Sequence, residues 1–345
     1  AAFAAGLALA VPCLAYADEG MWTVNAFPKD KVKAKYGFAP DDGWLEHVRL
    51  ASARLAGGCS ASFVSDGGLV MTNHHCAHDC IHSLSTADKD YVKQGFLART
   101  PAEETQCPGF EINQLVDIAD VTDRIGKATA GLADEKANQA RKAETARIEK
   151  ECAASDAVRC DVVSLYHGGL YNLYKYRRFQ DVRLVFAPEI ATAFFGGDPD
   201  NFMFPRYDLD VSFLRIYEHG KPVATDHYFK WSAAGAKNGE LTFVAGNPGS
   251  TDRLLTVAEL LRERDMAMPR SLLRLAEARG FLNEYRRRGA EADRMALEDL
   301  FRVENALKRA KGNHKALVGK ELFAAKLAAE KELRARILAN PEWQK

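Results

Sequence analysis

The stretch CSASFVSDGGLVMTNHHCAHDCIH, residues 59–82, decides how the rest of the chain is read. Its first half holds two short β-compatible runs, CSASFVS and LVMTNH, on either side of Asp66-Gly67-Gly68, and this order predicts a β-hairpin. Its second half, TNHHCAHDCIH, residues 72–82, packs four histidines and two cysteines into eleven positions. Two chemistries use such a run: a metal cage, or one working histidine beside a disulfide. Zinc needs three or four donors converging on a point. Neighbouring residues on a strand or loop diverge, and although His74 with His78 and His78 with His82 are four apart, they form no clean ligand motif. The choice turns on where the protein works.

The amino-terminal run AAFAAGLALAVPCLAYA ends in Ala15-Tyr16-Ala17 and is followed at once by Asp18-Glu19. An apolar run ending in small-x-small reads as a partial signal peptide over residues 1–17, interrupted by Pro12. Export places the mature chain in an oxidising compartment, periplasmic or secreted. Removing Cys13 with the leader leaves Cys59, Cys76, Cys80, Cys107, Cys152 and Cys160, an even number that favours disulfides over zinc thiolates. Cys152 and Cys160 close the short loop CAASDAVRC and form the first expected pair.

Strand-like runs continue downstream of the hairpin as DVRLVFAP, LDVSFLRIY and GELTFVAGNPG. Between them, residues 132–152 are rich in Ala, Lys and Glu with almost no large apolar side chain, which predicts a solvated helix inserted among strands. From about residue 251 the pattern changes to Leu, Ala and Met at three- and four-residue spacing among Arg and Glu, an α-helical region. The expected organisation is therefore residues 1–17 leader, 18–250 β-domain with a helical insertion near 130–152, and 251–345 helical, an α+β chain. No repeat of fixed period is present.

The 345 residues contain 47 Lys and Arg against 47 Asp and Glu. This balance, with no basic stripe, gives no electrostatic basis for a nucleic-acid partner. After the leader no run is long and apolar enough to span a bilayer. Small molecules or peptides remain as partners.

The hairpin followed by His75-Cys76 resembles the His-Cys corner of chymotrypsin-like serine peptidases, in which the histidine is the general base and the adjacent cysteine is bonded across the hairpin. The resemblance implies the pair Cys59–Cys76, and leaves Cys80–Cys107. It also calls for a carboxylate at the mouth of an alternating strand; DVSFLRI, residues 210–216, supplies Asp210, with Asp208 as competitor. Five blocks in order, DEGMW at 18–22, HVRLASARL at 47–55, SFVSDGGLVMTNHHC at 62–76, GGDPDNFMFPRYDLDVSFLRIY at 196–217 and VAGNPGSTDR at 244–253, are similar to the bacterial exported dipeptidyl peptidases of the chymotrypsin-like clan.

That resemblance implies a chymotrypsin-like (trypsin-like) antiparallel β-barrel followed by an α-helical lid, with the second barrel missing from this chain. It implies His75 as general base, Asp210 as orienting carboxylate, and a substrate amino end held at Asn201, Phe202 and Asn305. Phe202 stands where the family has Trp, which removes an indole N–H donor. It implies oligopeptide substrates, homodimerisation, and no metal or organic cofactor. A serine nucleophile of this type sits in a Gly-x-Ser-Gly turn, and none occurs here; Ser250 in GNPGST is the nearest and reads as a turn. The expectation is an amino-terminal half whose serine lies beyond Lys345 and which is inactive alone. A periplasmic endopeptidase of the same clan, a non-catalytic peptide-binding protein and a zinc protein are the alternatives.

Overall fold

Alternation of small or apolar with polar residues is what builds the sheet. The computed structural model describes residues 20–86, 88–194, 196–198, 200–203, 205–248, 252 and 254–344. The proposed leader and Ser250 lie outside the described residues. Strands β1 (Ser52–Leu55), β2 (Ser60–Phe63) and β3 (Leu69–Thr72) each bury every second residue, among them Ala53, Leu55, Phe63 and Val70. β2 and β3 form the expected hairpin, with Phe63 opposite Val70. Gly68 at its turn has φ +68°, and an added Cβ would come within 2.7 Å of the Val223 carbonyl, so only glycine fits there.

Eight further strands complete the sheet among the described residues: β4 (Phe96–Leu97), β5 (Thr105–Gln106), β6 (Ile112–Asp120), β7 (Val158–Leu165), β8 (Leu170–Phe179), β9 (Asp181–Ala187), β10 (Ser212–Glu218) and β11 (Lys221–Pro222). Every pairing is antiparallel, and the path runs β4-β9-β10-β3-β2-β1-β6-β8-β7, with β5 and β11 attached to β9 and β10. The expected barrel is not closed by a ladder. β8 runs through Gln180 directly into β9, so one length of chain pairs first with β6 and then with β10, and a covalent corner stands where a closing ladder was expected. Beneath this curved sheet lies one core, containing Phe63, Val70, Ile112, Phe179, Leu184, Leu214 and Ile216.

Helices α1 (Lys29–Tyr36) and α2 (Asp42–Ala51) precede the sheet, and α2 is capped by the Asp41 carboxylate, which accepts from Trp44 N at 2.7 Å. The stretch read as a strand end and loop is a helix: α3 spans His74–Leu84. Its buried residues Ala77, Cys80 and Ile81, with Leu84 packed against the core, follow the helical repeat and face it. Short α4 (Tyr91–Gln94) leads to β4. The charged insertion forms α5 (Thr122–Thr129) and α6 (Asp134–Cys152), pinned by buried Ile125 and Ile148 and by the Arg124–Glu144 ion pair. α6 lies against the outermost strand β7, where Glu149 Oε1 accepts from Val162 N at 2.8 Å.

A second correction concerns residues 240–248, expected as a strand: they form no ladder. Their backbone is held by side chains, with Asn247 N donating to Ser60 Oγ at 2.6 Å and Asn247 Nδ2 donating to Ala53 O at 3.2 Å. The helical region begins with α7 (Val257–Arg262), whose Thr256 and Glu259 form a capping box, and continues as α8 (Met268–Arg286), α9 (Ala290–Val318) and α10 (Lys320–Ala339). Among the described residues no helix is long and apolar enough to cross a membrane.

Candidate active site

Register brings the first two candidate residues together. Thr72, the last residue of β3, pairs with Ser212, the first of β10. Because the strands are antiparallel, the chain leaving β3 at 73–75 runs past the chain arriving at 210–211. His75 Nδ1 lies 2.7 Å from Asp210 Oδ2. The carboxylate can only accept, so Nδ1 carries the proton and Nε2 is the basic atom.

Asp210 also serves α3. Asn73 occupies the N-cap position but makes no capping bond with its own side chain. Instead Asp210 Oδ1 accepts from His75 N at 3.0 Å, a cap contributed from 135 residues downstream. Asn73 Nδ2 donates to Asp210 Oδ2 at 3.2 Å and to Asp210 O at 3.1 Å, so backbone, ring and amide donors converge on this residue. Burial pushes the Asp210 carboxyl up, but the His75 hydrogen bonds and charge outweigh it and hold the pKa below the usual carboxylate range. A carboxylate at a helix N-terminus is also favoured by the helix dipole. The competitor Asp208 points elsewhere, to Arg206 at 2.6 Å.

The metal reading meets a structural fact. Cys59, His75 and Cys76 bring ligand atoms within 4.8 Å of one another, yet the two sulfurs are bonded together. A disulfide sulfur offers no thiolate to a metal. The structure also joins Cys80 to Cys107 and Cys152 to Cys160. Cys59–Cys76 ties the start of β2 to the first turn of α3, and Cys80–Cys107 fastens the middle of α3 to the core, so the helix that presents His75 is stapled twice.

Asn201 and Asn305, 104 residues apart, are also brought together: Asn201 Nδ2 donates to Asn305 Oδ1 at 2.9 Å. Asn201 is 4% exposed, and its Oδ1 has no hydrogen-bond partner among the described residues. Such a buried acceptor is suited to a cationic donor. Phe202 is different: it is 61% exposed, with φ +62°, a conformation rare for an aromatic residue. α9 reaches this loop with three residues on one face, spaced i, i+4 and i+7. Phe301 meets Phe194 edge-on at 4.6 Å, Asn305 meets Asn201, and Lys308 Nζ donates to the Asp198 carbonyl. Gly196, with φ +108°, lets the loop approach within 2.8 Å of the Phe301 carbonyl, measured from where a Cβ would stand.

Sequence reasoning missed Asn73, Asp198, Arg206 and Lys308. The first followed directly from its place between a strand and the histidines. The third is the single basic residue among the four aspartates of residues 196–210, and the second is one of those four. Nothing in the local pattern singled out Lys308.

A family model described as Peptidase S46 matches residues 17–345. The chain is 36% identical over 272 residues to dipeptidyl-peptidase 7 of Porphyromonas gingivalis, covering 73% of this chain and 38% of that protein. It is 30% identical over 356 aligned residues to an Asp/Glu-specific dipeptidyl-peptidase of Porphyromonas endodontalis, covering 95% and 49%. The crystal structure of P. endodontalis DPP11 in complex with the dipeptide Arg-Glu superposes with a TM-score of 0.81 at 25% identity, covering 94% of this chain and 50% of that one. The chain thus spans half or less of the length of each of these proteins.

Proposed function

This chain is a member of the Peptidase S46 family, and from that premise we propose that it carries the general base and the amino-end anchor of an exported serine-type dipeptidyl aminopeptidase. The observation that carries the reading is the 2.7 Å contact of His75 Nδ1 with the half-buried Asp210 carboxylate, which sets Nε2 as proton acceptor. The names of the relatives support dipeptide release as the activity. The nucleophilic serine is one that the family resemblance places outside these 345 residues.

In this mechanism the serine hydroxyl attacks the carbonyl of the second peptide bond and gives its proton to His75 Nε2. The imidazolium, stabilised by Asp210, passes that proton to the leaving amine, and the C–N bond breaks to leave a dipeptidyl ester. Water, deprotonated by the same nitrogen, hydrolyses the ester, releases the dipeptide and restores the serine hydroxyl. The substrate ammonium donates to Asn201 Oδ1 and is enclosed by Asn305, with Phe202 as an apolar wall. Fixing the amino end at one distance from the serine is what limits release to dipeptides. Three disulfides and the expected leader support a periplasmic or secreted site of action.

The test is dipeptide release by the full-length enzyme from a peptide with a free N-terminus and from its acetylated form, with His75→Ala alongside. Cleavage of the free peptide alone, reduced on the order of 10⁴-fold in the variant, is expected. Equal cleavage of both peptides would make the protein an endopeptidase, and no cleavage of either a peptide-binding protein.

A further inference from the structure

The loop between β9 and β10, residues 188–211, contributes to both parts of the candidate site. Its middle meets α9 at Asn201, and its end delivers Asp210 to His75. One side chain ties these parts together. Arg206 Nη2 lies 3.2 Å from Asp198 Oδ2 and 2.6 Å from Asp208 Oδ2. Asp198 is buried; its other oxygen accepts from Gly196 N at 2.8 Å, and its carbonyl accepts from Lys308, three residues along α9 from Asn305. Asp208 uses its other oxygen to accept from Asp210 N at 3.3 Å. The contacts therefore run unbroken from α9 through Asp198, Arg206, Asp208 and Asp210 to His75.

We propose that Arg206 is a positioning residue that couples the amino-end anchor to the His75–Asp210 pair, so that docking of α9 and of a substrate amino group beside Asn201 fixes the catalytic carboxylate. The inference rests on the dipeptidyl peptidase reading above and adds a role to a residue that touches neither substrate nor serine.

Charge and geometry both require an arginine here. The side chains of Asp198 and Asp208 are only 8% and 11% exposed, so two carboxylates held near Asp210 would repel one another without a shared cation. One nitrogen of the guanidinium, Nη2, meets both carboxylates at once, and the rigid planar group holds it between them; a lysine ammonium supplies the charge on a flexible stem without that restraint. Burial pushes the Asp208 carboxyl above its usual range even with Arg206 pulling it down, and the Asp210 charge adds to the rise. The guanidinium thus offsets part of the negative charge of an acidic cluster.

The titratable and charged groups facing this cluster are His74 and His75 on α3, Asp198, Asp200 and Asp208 on the loop, and Lys308 on α9. Removing the Arg206 charge leaves excess negative charge beside Asp210. Uncompensated negative charge beside the pair favours its proton-bound form. The acid limb of kcat/KM then moves to higher pH.

The experiment uses the full-length enzyme and a free-amino peptide, comparing Arg206→Met, Arg206→Lys and the double variant Arg206→Met/Asp208→Asn over a pH series. Arg206→Met is expected to lower kcat about 10- to 100-fold and raise the acid limb by roughly half a unit or more. The added Asp208→Asn is expected to return the limb toward its original position. Arg206→Lys is expected to keep the limb in place yet lose about 10-fold in kcat, because an ammonium on a flexible stem does not hold the two carboxylates in place as the planar guanidinium does. An unshifted limb in Arg206→Met overturns the coupling, as does wild-type kcat in Arg206→Lys, the variant that decides if the methionine protein does not fold. Failure of the wild type to release dipeptide, or full activity in His75→Ala, overturns the underlying reading instead.

Discussion

At the scale of single residues, the site is built from donors that share one acceptor. That His75 and Asp210 would meet was expected from the family resemblance, which calls for a histidine beside a cysteine after a hairpin and an aspartate before an alternating strand. Asn73 has a signature too, but its effect depends on a partner 137 residues away that no local pattern reveals. Its amide restrains the carboxylate that meets His75 Nδ1, and a hydrogen bond to a charged group contributes about 1.5–3 kcal/mol. In the full-length enzyme Asn73→Ala is expected to lower kcat/KM about 10-fold or more with KM little changed. Steady-state kinetics on a dipeptide-releasing substrate checks this, and a rise in KM alone would assign Asn73 to substrate binding instead.

At the scale of elements, the position of His75 depends on how firmly α3 is seated. The residues 77, 80, 81 and 84 already have the spacing of a helical face, but reading the run for metal donors obscured it. Helices α8 to α10 were easier, since their length lets a repeat of 3.6 show through, and α6 followed from its Ala-, Lys- and Glu-rich composition. The strand expected at 240–248 failed because alternation gives no information on whether a partner edge exists. The Cys59–Cys76 bond closes a 17-residue separation, for which loop-closure entropy gives about 3 kcal/mol. Replacing both cysteines by alanine is expected to lower unfolding free energy by about 2–4 kcal/mol in denaturant titrations. A loss well under 1 kcal/mol would mean that Cys80–Cys107 and core packing alone hold α3.

At the scale of the whole molecule, stability depends on pH through a residue the proposed chemistry does not use. His74 is fully buried, and neither ring nitrogen has a hydrogen-bond partner among the described residues. Burial first, and then the neighbouring His78 charge, push its pKa below the ordinary value, against an upward pull from Asp210. A folded-state pKa below the unfolded one makes the neutral ring's contribution fully present above about pH 6.5 and progressively lost as pH falls below that value. The lowered Asp210 pKa acts in the same direction but lower, below about pH 4. Thermal melts should therefore show the protein losing stability between pH 7.5 and pH 5. The gap between wild type and His74→Gln should narrow over that interval, and a constant gap would remove His74 as the cause. None of this was legible beforehand, because one-dimensional patterning does not show which of four clustered histidines goes inside. The open path of the sheet was equally hidden: the turn of β8 into β9 at Gln180 is a property of the whole path.

An open path leaves a boundary. β7 ends the sheet on one side, and a strand with unsatisfied N–H and C=O groups is a template on which a second molecule can extend the ladder. α6, polar along most of its length, lies against that border, and the Glu149 carboxylate occupies the Val162 N–H that an incoming strand would need. The charged insertion thus has a use distinct from substrate handling: it covers a sheet edge that would otherwise be open to strand addition.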